Sequence, residues 1–222
     1  MQRECCSKPC PADVSAGTSY DVTTFFLVRH ASHDLLGKTL AGRTPGVHLN
    51  ARGAAEAGLL AERLARDRLV GLYSSPRERA RATAEPIAAR LTLPLSVDSD
   101  IDEIDFGDWT ARSFAELSAD STWPTWVHRR SIARAPGGES FEAVQRRVTA
   151  ALERLRIANP EGTVALFTHG DVIKAALAHV LGLSLDNVER FEIAPASISI
   201  LYAEAAWAQV RLVNDVGHLT TR

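Results

Sequence analysis

Cysteine is scarce in this 222-residue chain, with Cys5, Cys6 and Cys10 the only three, all within the first ten residues. An odd count outside any periodic segment supplies no disulfide framework, and three thiols without a neighbouring histidine make a poor zinc set. The chain does not need such staples, because at this length folding buries roughly 70 to 75% of the unfolded surface. Long apolar runs are also missing. No stretch approaches the roughly 20 residues that cross a bilayer, and Lys174 breaks one of the best, Val172 to Leu177. Met1 to Asp21 carries Arg3, Glu4 and Lys8 but not the continuous apolar core of a secretory signal, so a cytoplasmic address is expected. Neither sign of charge dominates: 25 Lys and Arg stand against 27 Asp and Glu, a formal net charge of −2. That balance offers no global basic field to displace counterions from a nucleic-acid backbone. Neither nucleic acid nor membrane is an expected partner.

What is present divides in two. Residues 1–22 are rich in Ser, Pro and Gly, lack hydrophobic periodicity and read as a flexible tail. Residues 23–222 read as one folded domain. Thr23 to Val28 is a short apolar, β-branched and aromatic run, the pattern of a strand buried on both faces. Asn50 offers an N-cap for a helix to about Arg66, with Ala57, Leu60, Ala61 and Leu64 on one face. Leu69 to Tyr73 predicts a strand, Arg77 to Leu91 a helix interrupted at Pro86, and Leu95 to Val97 a short strand.

From Asp100 to Gly138 the chain reads as irregular, with Pro124 marking a turn and a capping box at Ser113 and Glu116. The spacing of Phe141, Val144, Val148, Ala151, Leu152 and Leu155 predicts a helix from Ser140 to about Ala158. Thr163 to Phe167 is another buried strand, followed by a helix over Asp171 to Leu181 and two strands near Ser197 to Tyr202 and Trp207 to Val213. Alternating strands and helices imply an α/β fold: a three-layer sandwich with a mostly parallel central sheet between helices. In such sheets ligands sit beyond the carboxyl ends of the strands. Arg29-His30 and Thr168-His169-Gly170 both directly follow an apolar strand, so the architecture can bring two histidines to one crevice.

Leu27-Val28-Arg29-His30-Ala31 resembles the Arg-His signature of the histidine phosphatase superfamily, the phosphoglycerate-mutase-like fold. Four further blocks follow in that family's order. They are Ser74-Ser75-Pro76-Arg77-Glu78-Arg79-Ala80 with Thr83-Ala84, Ile101-Asp102-Glu103 with Gly107 and Trp109, Gly138-Glu139-Ser140, and Thr168-His169-Gly170. The resemblance covers about residues 24–219 and ends in Asn214-Asp215 and His218-Leu219. It implies His30 as nucleophile and Glu103 as proton donor in a scheme that requires no metal and no cofactor.

The residue chemistry suits those roles. A neutral imidazole can attack phosphorus through a ring nitrogen, and nearby arginines disfavour its protonated form. Arg29 and Arg79 suit phosphate because their planar guanidinium forks donate in pairs and stay charged. His169 and the Gly170 backbone N–H, at a helix start, would add donors to the same oxygens. Where many family members have Arg-His-Gly-Glu followed by a hydroxyl residue, this chain has Ala31, Ser32 and His33, so His33 is expected to replace the hydroxyl as a phosphate donor. Arg43, in Ala41-Gly42-Arg43, resembles a loop arginine that faces the substrate. After Trp109 the common Glu-Gly pair is Thr110-Ala111, and a loop asparagine has no counterpart at Leu36.

Two other motifs fail on their chemistry. Gly37-Lys38-Thr39 looks like the end of a P-loop, but its first glycine would be Ser32 and no strand directly precedes it. A zinc site of His30, His33 and His169 would place the cation beside Arg29 and Arg79, which repel it. Residues at about 105–138, with Trp109, Trp123, Trp126 and Arg130, read as a lid-like insertion. Its tryptophans either contact the non-phosphate part of the substrate or pack a small core.

The expected function is a metal-independent phosphomonoesterase that hydrolyses a small phosphorylated metabolite through a phosphohistidine at His30. A phosphoglycerate mutase or other phosphomutase shares every catalytic residue, and the departures at Leu36 and Thr110 argue against it. A non-catalytic phospholigand-binding protein would need neither nucleophile nor acid. The expected partner is a small-molecule phosphoester, and the oligomeric state, a homodimer included, is left open by the sequence.

Overall fold

Both faces of the first strand are buried, and that determines the layering. The computed structural model describes residues 21–220, so the tail reading of residues 1–20 lies outside the described residues. β1 (Thr23–Arg29) is the apolar run anticipated above. Phe25 and Leu27 face one hydrophobic cluster, while Phe26 and Val28 face a second on the other side of the sheet. The second cluster is closed by α1 (Ala51–Leu64), β2 (Gly71–Ser74) and α2 (Glu78–Leu91), through Leu60, Leu64, Leu72, Ala84 and Ile87.

β3 (Leu95–Val97) follows at the sheet edge. The chain then passes through single 3-10 turns at Ser99–Ile101 and Gly107–Trp109 and two short helices, α3 (Phe114–Ser118) and α4 (Trp123–His128). α5 (Phe141–Ala158) and α6 (Gly170–Leu181) cover the first face, with β4 (Thr163–Thr168) in the sheet between them in sequence, and Phe141, Val144 and Val148 share the first cluster with Val172, Ile173 and Ala176. β5 (Ile198–Ala203) and β6 (Ala208–Asp215) complete a six-stranded sheet of order β3-β2-β4-β1-β5-β6. The pairings β2–β3, β2–β4 and β1–β4 are parallel, and β1–β5 and β5–β6 are antiparallel. The last change of direction follows from chain length: residues 204–207 can only turn the chain back on itself, whereas parallel neighbours need a crossover.

Local sequence explains most element ends. Asn50 caps α1 by accepting from Gly53 N–H, Ser140 caps α5 by accepting from Ala143 N–H, and the Ser113–Glu116 capping box opens α3. Two expectations fail. Pro86 lies inside α2 without interrupting it, because Ala80, Ala84 and Ile87 remain fully buried on either side and outweigh one missing hydrogen bond. Pro124 does not mark a turn; it occupies the first turn of α4, where its missing N–H removes no helical bond.

Residues 105–138 have no core of their own. Phe106, Trp109, Leu117 and Trp126 belong to the same cluster as Phe141 and Val144. Trp126 meets Phe106 at 5.6 Å and Trp109 at 5.8 Å, both edge-on.

One close contact anchors the loop after β1. Ser32 O accepts from Asn50 N–H at 3.1 Å, and a Cβ at Gly53 would lie 2.0 Å from that oxygen. Only a residue without a side chain lets α1 approach so closely. Gly53→Ala is therefore expected to destabilise the fold by about 2–4 kcal/mol, although helix propensity alone favours alanine by about 1 kcal/mol. Urea unfolding measures the sign.

Candidate active site

Parallel pairing of β1 with β4 sets Arg29 opposite Thr168, so His30 and His169 leave the sheet side by side. Their ring centres are 5.2 Å apart. His30 N–H donates to Thr168 O at 2.9 Å, and His30 O accepts from Ala196 N–H at 3.2 Å, so the residue is pinned from both neighbouring strand ends. The next two residues are held as firmly. Ala31 N–H donates to Thr83 Oγ1, which donates to Arg79 O; Ser32 N–H and Oγ–H donate to the two oxygens of buried Glu56.

The hydrogen bonds define the His30 tautomer. His30 Nδ1 lies 2.9 Å from Ala31 O, and a carbonyl can only accept, so the ring proton is on Nδ1. Nε2 keeps its lone pair. Burial, followed by the charges of Arg79 and Arg29, holds the pKa of His30 well below that of an ordinary histidine. The ring is neutral at physiological pH.

Two guanidinium groups surround it. Arg79, in the first turn of α2, is 1% exposed; its Nη2 donates to Gly42 O at 2.8 Å and to His169 Nδ1 at 3.2 Å. Arg29 Nη1 donates to Ile193 O at 2.5 Å. Arg29 Nε and the Nε and Nη1 of Arg79 are buried and have no partner among the described residues. Unsatisfied buried donors on two cations are what an anion site requires.

His169 has the opposite tautomer. Arg79 donates to its Nδ1, so its proton sits on Nε2 and goes to Ser75 Oγ at 2.8 Å; Ser75 Oγ–H in turn donates to Asp102 Oδ1 at 2.9 Å. With this tautomer Nδ1 is an acceptor, so a donor role for His169 toward phosphate requires a second proton. Burial and the Arg79 charge hold its pKa low as well.

Glu103 closes the site. Its Oε2 lies 3.8 Å from Arg79 Nη2 and 3.5 Å from His169 Nδ1. Burial pushes its carboxyl up to about 7, against the opposing pull of Arg79. Its backbone is held by two arginines: Arg43 Nε and Arg147 Nη2 donate to Glu103 O at 2.8 and 3.1 Å, and both also bind Glu139. Gly107, at φ +49°, lets the loop pass where a Cβ would lie 2.1 Å from Pro136 O. Glu139 N–H donates to Asp105 O there, which is how the Gly138-Glu139-Ser140 block supports the Glu103 block.

Arg29, His30, His33, Arg79, Glu103 and Gly170 line one cavity of about 340 Å³, with buried His169 beside His30 behind them. His33 is 4% exposed with its ring 5.2 Å from His30; Nδ1 accepts from Leu35 N–H, leaving Nε2–H as the donor. Burial and the two arginines lower its pKa to about 4. Arg43 departs from expectation. It does not line the cavity, because Glu103 O and the carboxylates of Asp102, Asp105 and Glu139 hold its guanidinium beneath the Glu103 loop. Sequence reasoning missed Arg147, and it quoted Asp102 and Glu139 only within family blocks, without a role of their own. Arg147 had a visible signal, since it falls on the apolar stripe of α5 between Val144 and Val148. Asp102 was hidden among neighbouring acids. No group of three or more His, Cys, Asp or Glu residues suited to a metal occurs among the described residues.

Comparison with known proteins gives a consistent picture. The model of the histidine phosphatase superfamily (branch 1) matches residues 25–216. The bifunctional protein Rv2228c of Mycobacterium tuberculosis is 36% identical over 204 residues, which are 89% of this chain and 55% of that protein. The chain thus spans about half the length of that relative. Phosphoserine phosphatase 1 of Hydrogenobacter thermophilus is 31% identical over 198 residues, 87% of this chain and 92% of that one. The solved structure of mycobacterial glucosyl-3-phosphoglycerate phosphatase Rv2419c shares the fold with a TM-score of 0.79 at 26% identity, over 87% of this chain and 99% of its own.

The raised pKa of Glu103 has a stability consequence of definite sign. The unfolded carboxyl ionises near 4.5 and the folded one near 7, so rising pH favours the unfolded chain across that window. Glu103→Gln is expected to raise the unfolding free energy at pH 8 by about 1–3 kcal/mol, with the gain shrinking toward pH 5. Denaturant unfolding at the two pH values measures it.

Proposed function

The chain belongs to the histidine phosphatase superfamily, and from that premise we propose that it is a phosphomonoesterase that passes the phosphoryl group of a small phosphorylated metabolite through His30 to water. The observation that carries this reading is the Nδ1–H bond from His30 to Ala31 O, which leaves Nε2 unprotonated beside two arginines with free donors.

In the proposed reaction the phosphoryl oxygens occupy the donors of Arg29 and Arg79, with His33 Nε2–H and the Gly170 N–H, at the start of α6, contributing from the cavity wall. The Nε2 lone pair attacks phosphorus as the ester P–O bond breaks, and the departing oxygen takes the proton of Glu103. The phosphorylated ring keeps its Nδ1–H on Ala31 O, which stabilises the positive charge it gains. Glu103, now a carboxylate, removes a proton from water. The water oxygen attacks phosphorus, the N–P bond returns its electrons to Nε2, and inorganic phosphate leaves with Glu103 protonated again. No step uses a metal ion. A carboxyl with a pKa of about 7 suits both halves of this cycle.

Phenyl phosphate, whose leaving group needs a proton, is the appropriate test substrate. In the presence of a chelator, His30→Ala is expected to lose at least about a thousandfold in kcat. The parent should yield an acid-labile, alkali-stable phosphoenzyme when quenched during turnover. Undiminished turnover by the variant would refute the reading, and conversion of 3-phosphoglycerate to its 2-isomer without phosphate release would replace it with a mutase.

The pH profile provides a second test. Glu103 must be protonated in the free enzyme, so kcat/KM should fall above about pH 7 by a factor approaching ten per pH unit. The depressed pKa of His30 means that protonation of this ring adds no loss near neutrality.

A further inference from the structure

The proposed mechanism accounts for the floor of the cavity but not for its outer part. Among the described residues four lysine and arginine side chains line the cavity, Arg29 and Arg79 in the cradle and Arg130 and Lys174 outside it. The outer two are already in ion pairs, although Arg130 Nε is buried without a hydrogen-bond partner among the described residues. Arg130 Nη1 lies 3.1 Å from Asp171 Oδ2, its Nη2 donates to Glu189 Oε1, and its guanidinium lies 5.3 Å from the Trp126 ring centre. Lys174 Nζ donates to Glu189 Oε2 at 2.7 Å.

A third carboxylate, Glu192, lines the same cavity; its charge reaches Arg29, but it forms no ion pair among the described residues. Outside the cradle, then, two cations face three carboxylates. Much of the remaining lining is apolar. Phe114 is 36% exposed and Trp123 half-buried, their ring centres are 6.4 Å apart, and Trp123 is braced edge-on by Trp109 at 5.1 Å.

We infer that the outer cavity selects phosphomonoesters whose remaining part is aromatic or apolar and carries no second negative charge. The inference rests on the phosphatase reading of the cradle and adds the substrate class to it. An ester with a carboxylate near its phosphoryl group must either displace Asp171 or Glu189 from its cation or leave its own charge facing Glu192. Both alternatives are unfavourable, and solvent moderates their cost because Glu189 and Glu192 are exposed. An aromatic remainder meets Phe114 and Trp123 instead and needs no counter-ion.

The test compares kcat/KM for 1-naphthyl phosphate with that for 3-phosphoglycerate, which differ in both features. The parent should prefer the naphthyl ester by at least about a hundredfold. Glu189→Gln and Glu192→Gln should each raise the ratio of 3-phosphoglycerate to naphthyl phosphate about tenfold, through the 3-phosphoglycerate arm. Trp123→Ala should move the same ratio by lowering the naphthyl arm.

Equal rates on the two esters in the parent, or a ratio that stays within about twofold in all three variants, would overturn the inference. Calorimetric dissociation constants for both esters on His30→Ala give the same comparison where turnover is too slow to read. Full activity of His30→Ala on both esters would instead refute the phosphohistidine reading and leave the selectivity ratio to be judged separately.

Discussion

A guanidinium group lies buried beside two uncharged imidazoles, and the site is arranged around it. Arg79 is 1% exposed, and a buried charge is tolerated only where its hydrogen bonds and counter-charges are supplied. Gly42 O, His169 Nδ1 and the more distant Glu103 supply part of that, and two of its nitrogens remain without partners. Burial, and after it the same charge, keeps His30 and His169 neutral. One buried cation therefore leaves donors for an incoming anion and keeps the neighbouring lone pair available.

Glu103 shows the other side of this arrangement. Burial raises its pKa to about 7, and Arg79 offsets only part of that effect. Besides the Ile104 N–H bond to its carboxyl, Glu103 is held through its backbone: Arg43 and Arg147 both grip the Glu103 carbonyl, and Glu139 ties them together. A group poised to exchange a proton near neutrality is thus kept in place through its backbone carbonyl. The arrangement is of the kind in which stability is traded for a reactive position.

Much of the fold was legible in the chain because its signals are local. β1 and β4 are short apolar runs, α5 carries a regular apolar stripe and a serine cap, and α3 opens with a capping box. Pro86 and Pro124 misled because a proline reports only its own missing N–H, while packing around α2 and the position of Pro124 in the first turn of α4 decide whether that matters. Trp109 and Trp126 left two readings open. Burial resolved Trp109 as core, while Trp126 both packs in the core and lines the cavity.

Apolar periodicity and chain order made the longer strands and helices legible, together with the residues that follow the carboxyl ends of β1 and β4. How those residues are charged and aimed came with the folded arrangement. The tautomers of His30 and His169, the inward placement of His33 and the withdrawal of Arg43 beneath Glu103 each depend on a partner distant in the chain or on the path of a loop. Hydrogen-bond direction and desolvation are properties of neighbours in space, and a linear order of residues does not specify them.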